Sequence, residues 1–128
     1  MATVIKKSAP KIETPLTQNI QDVIIQALIE KQGRDIVDID LKKVGHVFFD
    51  DFVICTATSK THAETLCDYV CELAWKEARQ KPHFVEGLEN KEWILLDFFN
   101  VIVHIFLLEA REFYNLEKLW SDAEIRTF

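Results

Sequence analysis

The chain has 128 residues, 48% hydrophobic and 28% charged, with only 3 glycines and 3 prolines; this fits one domain with a sizeable core and excludes disordered, collagen-like and repeat architectures. Its net charge of −6 disfavours autonomous binding to nucleic acid, whose phosphates it would repel, and suits a basic protein partner. From Glu86 onward nine acids stand against four bases, so the excess is C-terminal.

Residues 1–15 carry Lys6, Lys7 and Lys11 but no apolar run, no arginine and no amphipathic stripe. They read as a solvated leader with neither a secretory nor a mitochondrial address. Ile20, Val23, Ile24, Ala27 and Leu28 recur on one face of a helix that Thr14 would cap and Pro15 would open, and Gly33 ends it. Val37, Ile39 and Leu41 alternate with Asp38 and Asp40, which predicts an outer strand with one wet face. Phe52 to Cys55 is apolar on both faces and belongs inside a sheet. Thr58 and Ser59 suit the cap of a second helix, whose apolar face is Ala63, Leu66, Cys67, Val70, Leu73 and Ala74 and which stops before Pro82.

His83 to Val85 reads as a short strand and Glu86 to Lys91 as a turn around Gly87. Trp93 to Leu96 and Val101 to Leu107 follow, paired antiparallel because the connection between them is too short for a crossover. Val101 to Leu108 is the longest strongly apolar stretch, far short of the roughly 20 residues that cross a bilayer, so no membrane span is expected. Leu108 to Tyr114 and Leu116 to Trp120 read as short helices with Asn115 as a cap between them. The fold expected is a single α/β domain over residues 16–123, a mixed sheet of about five strands flanked by helices, with a tail over 124–128.

Three groups of residues could carry chemistry. Asp38 and Asp40, at i and i+2 on a strand, could hold a metal ion for phosphoryl transfer, but the preceding residues offer no glycine-rich phosphate cradle, and a solvated strand face is the plainer reading. Asp97 and His104 could form an acid–base couple, but no nucleophile accompanies them. Cys55, Cys67 and Cys71 make an odd count without zinc-site spacing, which points to reduced thiols in a cytoplasmic protein and to no metal. Walker, dinucleotide and RNP patterns are absent. What stands out is an aromatic, acid-flanked C-terminal region: Trp93, Phe98, Phe99, Phe113, Tyr114, Leu116, Leu119 and Trp120. Phe98 and Phe99, adjacent in a tight turn, are not expected both to be core, and the tryptophans and tyrosine resemble interface anchors in a charged rim.

Taken in order, Asp35-Ile36-Val37, Asp51 to Thr56 with Thr58-Ser59, Val85-Glu86-Gly87, Trp93 to Asp97, Val101 to Phe106 and Phe113 to Trp120 resemble the pattern of ribosomal silencing factors, the Iojap family, over about Leu16 to Ala123. The resemblance implies a fold akin to nucleotidyltransferases without their active site, no enzymatic activity and no cofactor. It implies docking on the large ribosomal subunit through its protein uL14, steric exclusion of the small subunit, and lowered translation when nutrients are scarce. On matching positions the contact surface is Trp93, Asp97, Tyr114, Leu116, Leu119 and Trp120, with His104 in support. Two departures stand out: Phe99-Asn100 where many members have Gly-Asp, and Ala57 where a glycine commonly precedes Thr-Ser. The alternatives are an adaptor in large-subunit assembly and a metal-dependent nucleotidyltransferase using Asp38 and Asp40. The residues leave open whether a homodimer of the free protein covers the docking face.

Overall fold

In the computed structural model, which describes residues 19–45 and 47–128, helix α1 (Ile20–Glu30) begins at Asn19, which is extended in backbone and whose Oδ1 accepts the Gln21 N–H at 2.8 Å. Thr14 and Pro15 lie outside the described residues. The predicted apolar face is the buried one, with Ile25 added to it. The helix closes in a Schellman turn: Gln32 takes the left-handed conformation (φ 63°), and the Gly33 N–H donates to Leu28 O at 2.7 Å. Gly33 therefore serves for space, since a Cβ there would lie 3.2 Å from Leu28 O and 3.3 Å from Cys55 Sγ.

Strands β1 (Arg34–Asp40) and β2 (Asp51–Ala57) pair antiparallel, with Val37 opposite Ile54 and Ile39 opposite Phe52. β2 is buried along its whole length, as its unbroken apolar run demands. Helix α2 (Lys60–Ala78) starts where Ser59 Oγ accepts the His62 N–H at 3.0 Å and ends at Arg79 in left-handed geometry. Its buried stripe is Ala63, Leu66, Cys67, Val70 and Ala74. The Tyr69 hydroxyl donates to the Glu30 carboxylate and ties α2 to α1.

Strand β3 (Phe84–Glu86) pairs antiparallel with β4 (Trp93–Asp97), and β4 pairs antiparallel with β5 (Val101–Leu107). The turn before β4 needs Gly87: its φ is 90°, and a Cβ there would fall 1.9 Å from the Trp93 carbonyl oxygen. β5 then runs parallel to β2, Asp51 beside Val101 through Ala57 beside Leu107. Helix α3 (Leu108–Tyr114) and helix α4 (Leu116–Leu119) meet at Asn115 in left-handed geometry. The chain finishes in strand β6 (Glu124–Thr127), antiparallel to β1.

The sheet order is β3-β4-β5-β2-β1-β6. One face carries α1 and α2 over a core that includes Ile36, Val53, Cys55, Ile94, Leu96, Val103 and Ile105. The opposite face (Val37, Ile39, Leu41, Phe52, Ile54, Ile102, Phe106) is covered by Val44, Val47 and Phe49 of the β1–β2 connection and by Ala110, Leu116, Trp120 and Ala123. Three expectations are corrected. Residues 124–128, expected as a tail, supply a sixth strand. β1 is consequently an inner strand. Asp38, expected on a wet face, is buried against the Arg126 guanidinium of β6 at 3.0 Å. The three cysteines are free thiols, and burial raises the Cys55 thiol to about 12, out of reach of ordinary thiolate chemistry. Among the described residues no helix is long and apolar enough to cross a membrane.

Candidate docking surface

β4 opens with Trp93, half-buried, its indole on the face away from α1 and α2. Across the ladder lies Phe106, and the two rings stack at 4.9 Å between centroids. Trp93 Nε1 donates to Nδ1 of His104 at 3.0 Å. Burial holds His104 neutral, its pKa brought down to about 3, so the ring accepts at Nδ1 and carries its proton on Nε2. Tyr114, at the end of α3, meets the indole at 4.6 Å in a tilted contact and lies 6.4 Å from Phe106. Trp93, His104, Phe106 and Tyr114 thus form one aromatic cluster running from the sheet interior to the surface.

Beyond Asn115, α4 lays Leu116 and Trp120 on the second core, where the Trp120 ring meets Phe52 edge-on at 6.0 Å. Leu119, on the other side of this single turn, is 71% exposed, and Phe113 on α3 is 81% exposed. These two project as bare apolar side chains beside the half-exposed Tyr114. A cleft of about 330 Å³ lies between Glu92, Leu107, Glu109, Ala110, Phe113 and Tyr114, its two carboxylates exposed to solvent.

The α3–α4 corner is held by Arg111, which no sequence feature singled out. It is buried, donates to Thr56 Oγ1 of β2 at 2.8 Å, and holds Glu117 of α4 through two nitrogens at 2.8 and 3.2 Å. The Asn115 N–H donates to Arg111 O at 2.9 Å, so the backbone bend and the ion pair fix one another. An arginine six residues before a glutamate carries no periodic signal; only the fold shows that the two meet.

The residues singled out from the sequence therefore divide. Trp93, His104 and Tyr114 come together, and Leu116, Leu119 and Trp120 adjoin them on α4. Asp97 lies at the far end of β4, roughly 13 Å along the strand from Trp93, where its Oδ1 accepts the Phe99 N–H at 2.7 Å. There it supports a turn in which Phe99, the position where many silencing factors have glycine, adopts φ 73° and stacks on His83 at 3.7 Å. Phe98 is buried and Phe99 exposed, as two adjacent residues in a tight turn require. Ala57 ends β2 opposite Leu107 with an ordinary strand backbone, so a side chain is accommodated where glycine is common.

Asp38 and Asp40 do not stand as an open metal-binding pair. Asp38 is matched by Arg126 and Asp40 by Lys42 at 3.3 Å. Asp97 and His104, two candidates for an acid–base couple, make their bonds to Phe99 and Trp93 instead.

Residues 14–127 match the family described as ribosomal silencing factor during starvation. The chain belongs to the ribosomal silencing factor family. It is 31% identical over 108 residues to the ribosomal silencing factor of Bacillus subtilis, covering 84% of this chain and 90% of that protein. A crystal structure of a protein from Chromobacterium violaceum superposes with a TM-score of 0.74 at 32% identity, covering 80% of this chain and 83% of that one. A mouse protein named for mitochondrial assembly of the ribosomal large subunit is 31% identical over 102 residues, covering 78% of this chain and 44% of its own length. A silencing factor's regulatory role, and the single α/β sheet that carries it, thus rest on most of the chain.

Proposed function

We propose that this protein docks on the large ribosomal subunit through the corner made by Trp93, Tyr114, Leu116, Leu119 and Trp120, with protein uL14 as its partner. Bound there, it keeps the small subunit away by occupying space, without catalysis. The observation that carries this reading is the exposure of Phe113, Tyr114 and Leu119 beside the buried rings of His104 and Phe106, with the carboxylates Glu92 and Glu109 lining the adjoining cleft. Apolar anchors that are rigid before binding and ringed by charge are what a tight interface needs, and an acidic rim favours a basic ribosomal protein. Asp97, set apart from this corner, would reach a partner only at its periphery. Purified subunits mixed with increasing protein and separated on sucrose gradients should show progressively fewer joined ribosomes. Full joining at saturating protein would remove the proposal.

The name of the mouse relative favours a second reading, an adaptor in large-subunit assembly. Under it the protein would co-sediment with joined ribosomes as well as with free large subunits, whereas an excluder would be confined to free subunits.

A further inference from the structure

Strand β6 is exposed along its whole length, and little secures it: the ladder to β1, a bond from the Phe128 N–H to Ile36 O at 2.9 Å, and the Arg126 guanidinium on Asp38. Beneath that guanidinium lie two buried carboxyl groups, Asp38 of β1 and Asp51 of β2. Asp51 Oδ2 accepts from Gln21 Nε2 of α1 at 3.0 Å and Oδ1 from Lys42 Nζ at 3.1 Å. Asp38 Oδ2 accepts from Arg126, but Asp38 Oδ1, fully buried, has no donor among the described residues. A buried carboxylate oxygen without a donor is costly. The group beside it is the Asp51 carboxyl, and a proton on Asp51 donated to Asp38 satisfies the orphan oxygen.

We propose that Asp38 and Asp51 form a proton-binding site whose occupancy sets how firmly β6 is seated on the sheet. The charges facing it are Asp38 and Asp40 from β1, Lys42 from the following turn, Asp22 from α1 and Arg126 from β6. Burial first, then the bond to Asp38 and its negative charge, raises the Asp51 carboxyl to about 7, with Lys42 pulling the other way. The sign follows from linkage. Asp51 lies on β2, separated from β6 by β1 and bonded to Gln21 of α1, so lifting β6 leaves its burial in place while removing the Arg126 cation that favours the ionised pair, and the pair's hold on its proton strengthens. Release of β6 is accompanied by proton uptake, and a fall in pH through neutrality therefore favours release. Ala123 and Trp120 immediately precede β6 and pack on the second core, so seating β6 also tethers the trailing end of the docking corner. The inference concerns the free chain and does not depend on which partner it docks.

Amide hydrogen exchange of residues 124–128 in the full chain, divided by intrinsic rates, tests it from about pH 5.5 to about pH 8.5. If seating β6 lowers the pair's affinity for the proton by about one pKa unit, protection should rise about tenfold with pH across the titration. Amides of β2 and β5 report global stability and should not follow that profile. Asp51→Asn, which donates to Asp38 without titrating, should flatten it. Arg126→Gln, at an exposed position, should lower β6 protection and also flatten the profile, and it decides the matter should Asp51→Asn fail to fold. A wild-type profile independent of pH, or a slope that survives in Arg126→Gln, overturns the proposal.

Discussion

Replacing Arg111 by methionine isolates what the α3–α4 corner depends on. The substitution keeps the apolar stem but removes the donors that hold Thr56 and Glu117. Hydrogen bonds to charged groups contribute about 1.5–3 kcal/mol each. The Glu117 side chain is 30% exposed, so water recovers part of its solvation once the guanidinium is gone. Thr56 can turn its hydroxyl to another neighbour. The expected loss is therefore about 2–3 kcal/mol, short of the about 3–5 kcal/mol for breaking a fully buried pair. In a domain of this size it corresponds to a fall in Tm of roughly 10 °C. Urea unfolding with an unchanged m value measures it, and Glu117→Gln, which removes the charge but keeps an acceptor, should cost about 1 kcal/mol. A loss below about 1 kcal/mol for Arg111→Met would mean that apolar packing alone holds the corner, and the reasoning fails.

Further expectations bear on the site and its support. Leu119→Ala removes an exposed side chain, so it should leave Tm within about 2 °C while weakening large-subunit binding by about 1–2 kcal/mol, or roughly 5- to 30-fold in Kd; unchanged co-sedimentation would exclude Leu119 from the interface. His104 is neutral in the fold down to about pH 3 but takes up a proton near pH 6.5 when unfolded. Its native pKa is depressed, so its stabilising contribution is intact above about 6.5 and lost as pH falls toward 3, by about 5 kcal/mol at the limit. Asp51 works in the opposite direction, its raised carboxyl stabilising the fold as pH drops from about 7 toward 4. His104→Gln should flatten the His104 part of the acid limb in pH-dependent unfolding, and an unaltered limb would refute the assignment. Phe99→Gly should be more stable than Phe99→Ala by about 1 kcal/mol, because both lose the His83 stack and only glycine relieves φ 73°; equal stabilities in denaturant would show the turn to be unstrained.

The parts of the fold that follow from local pattern were legible in the sequence. β2 and β5 announce themselves by apolar residues on both faces, α2 by its stripe and its Ser59 cap, and the β4–β5 hairpin by the shortness of its turn. Asp38 was misread because alternation reports which residues share a face, not what later covers that face; here the cover is Arg126, 88 positions on. Arg111 was missed for the same reason, since one of its partners, Thr56, lies 55 positions away. Trp93 was legible as an aromatic anchor, but its bond to His104 was not. That bond changes how the residue should be probed: Trp93→Ala would leave a cavity and an unpartnered imidazole, confounding any loss of binding with loss of fold.

Gly87 has no side chain to offer a partner, yet any substituent there presses on the backbone of Trp93, with 1.9 Å available where an ordinary contact needs almost twice that. The exposed turn is therefore a set-screw for the indole. A survey of tolerated substitutions would find position 87 as unforgiving as the interior, and a map of the binding surface drawn from such sensitivities would include a residue that touches no partner.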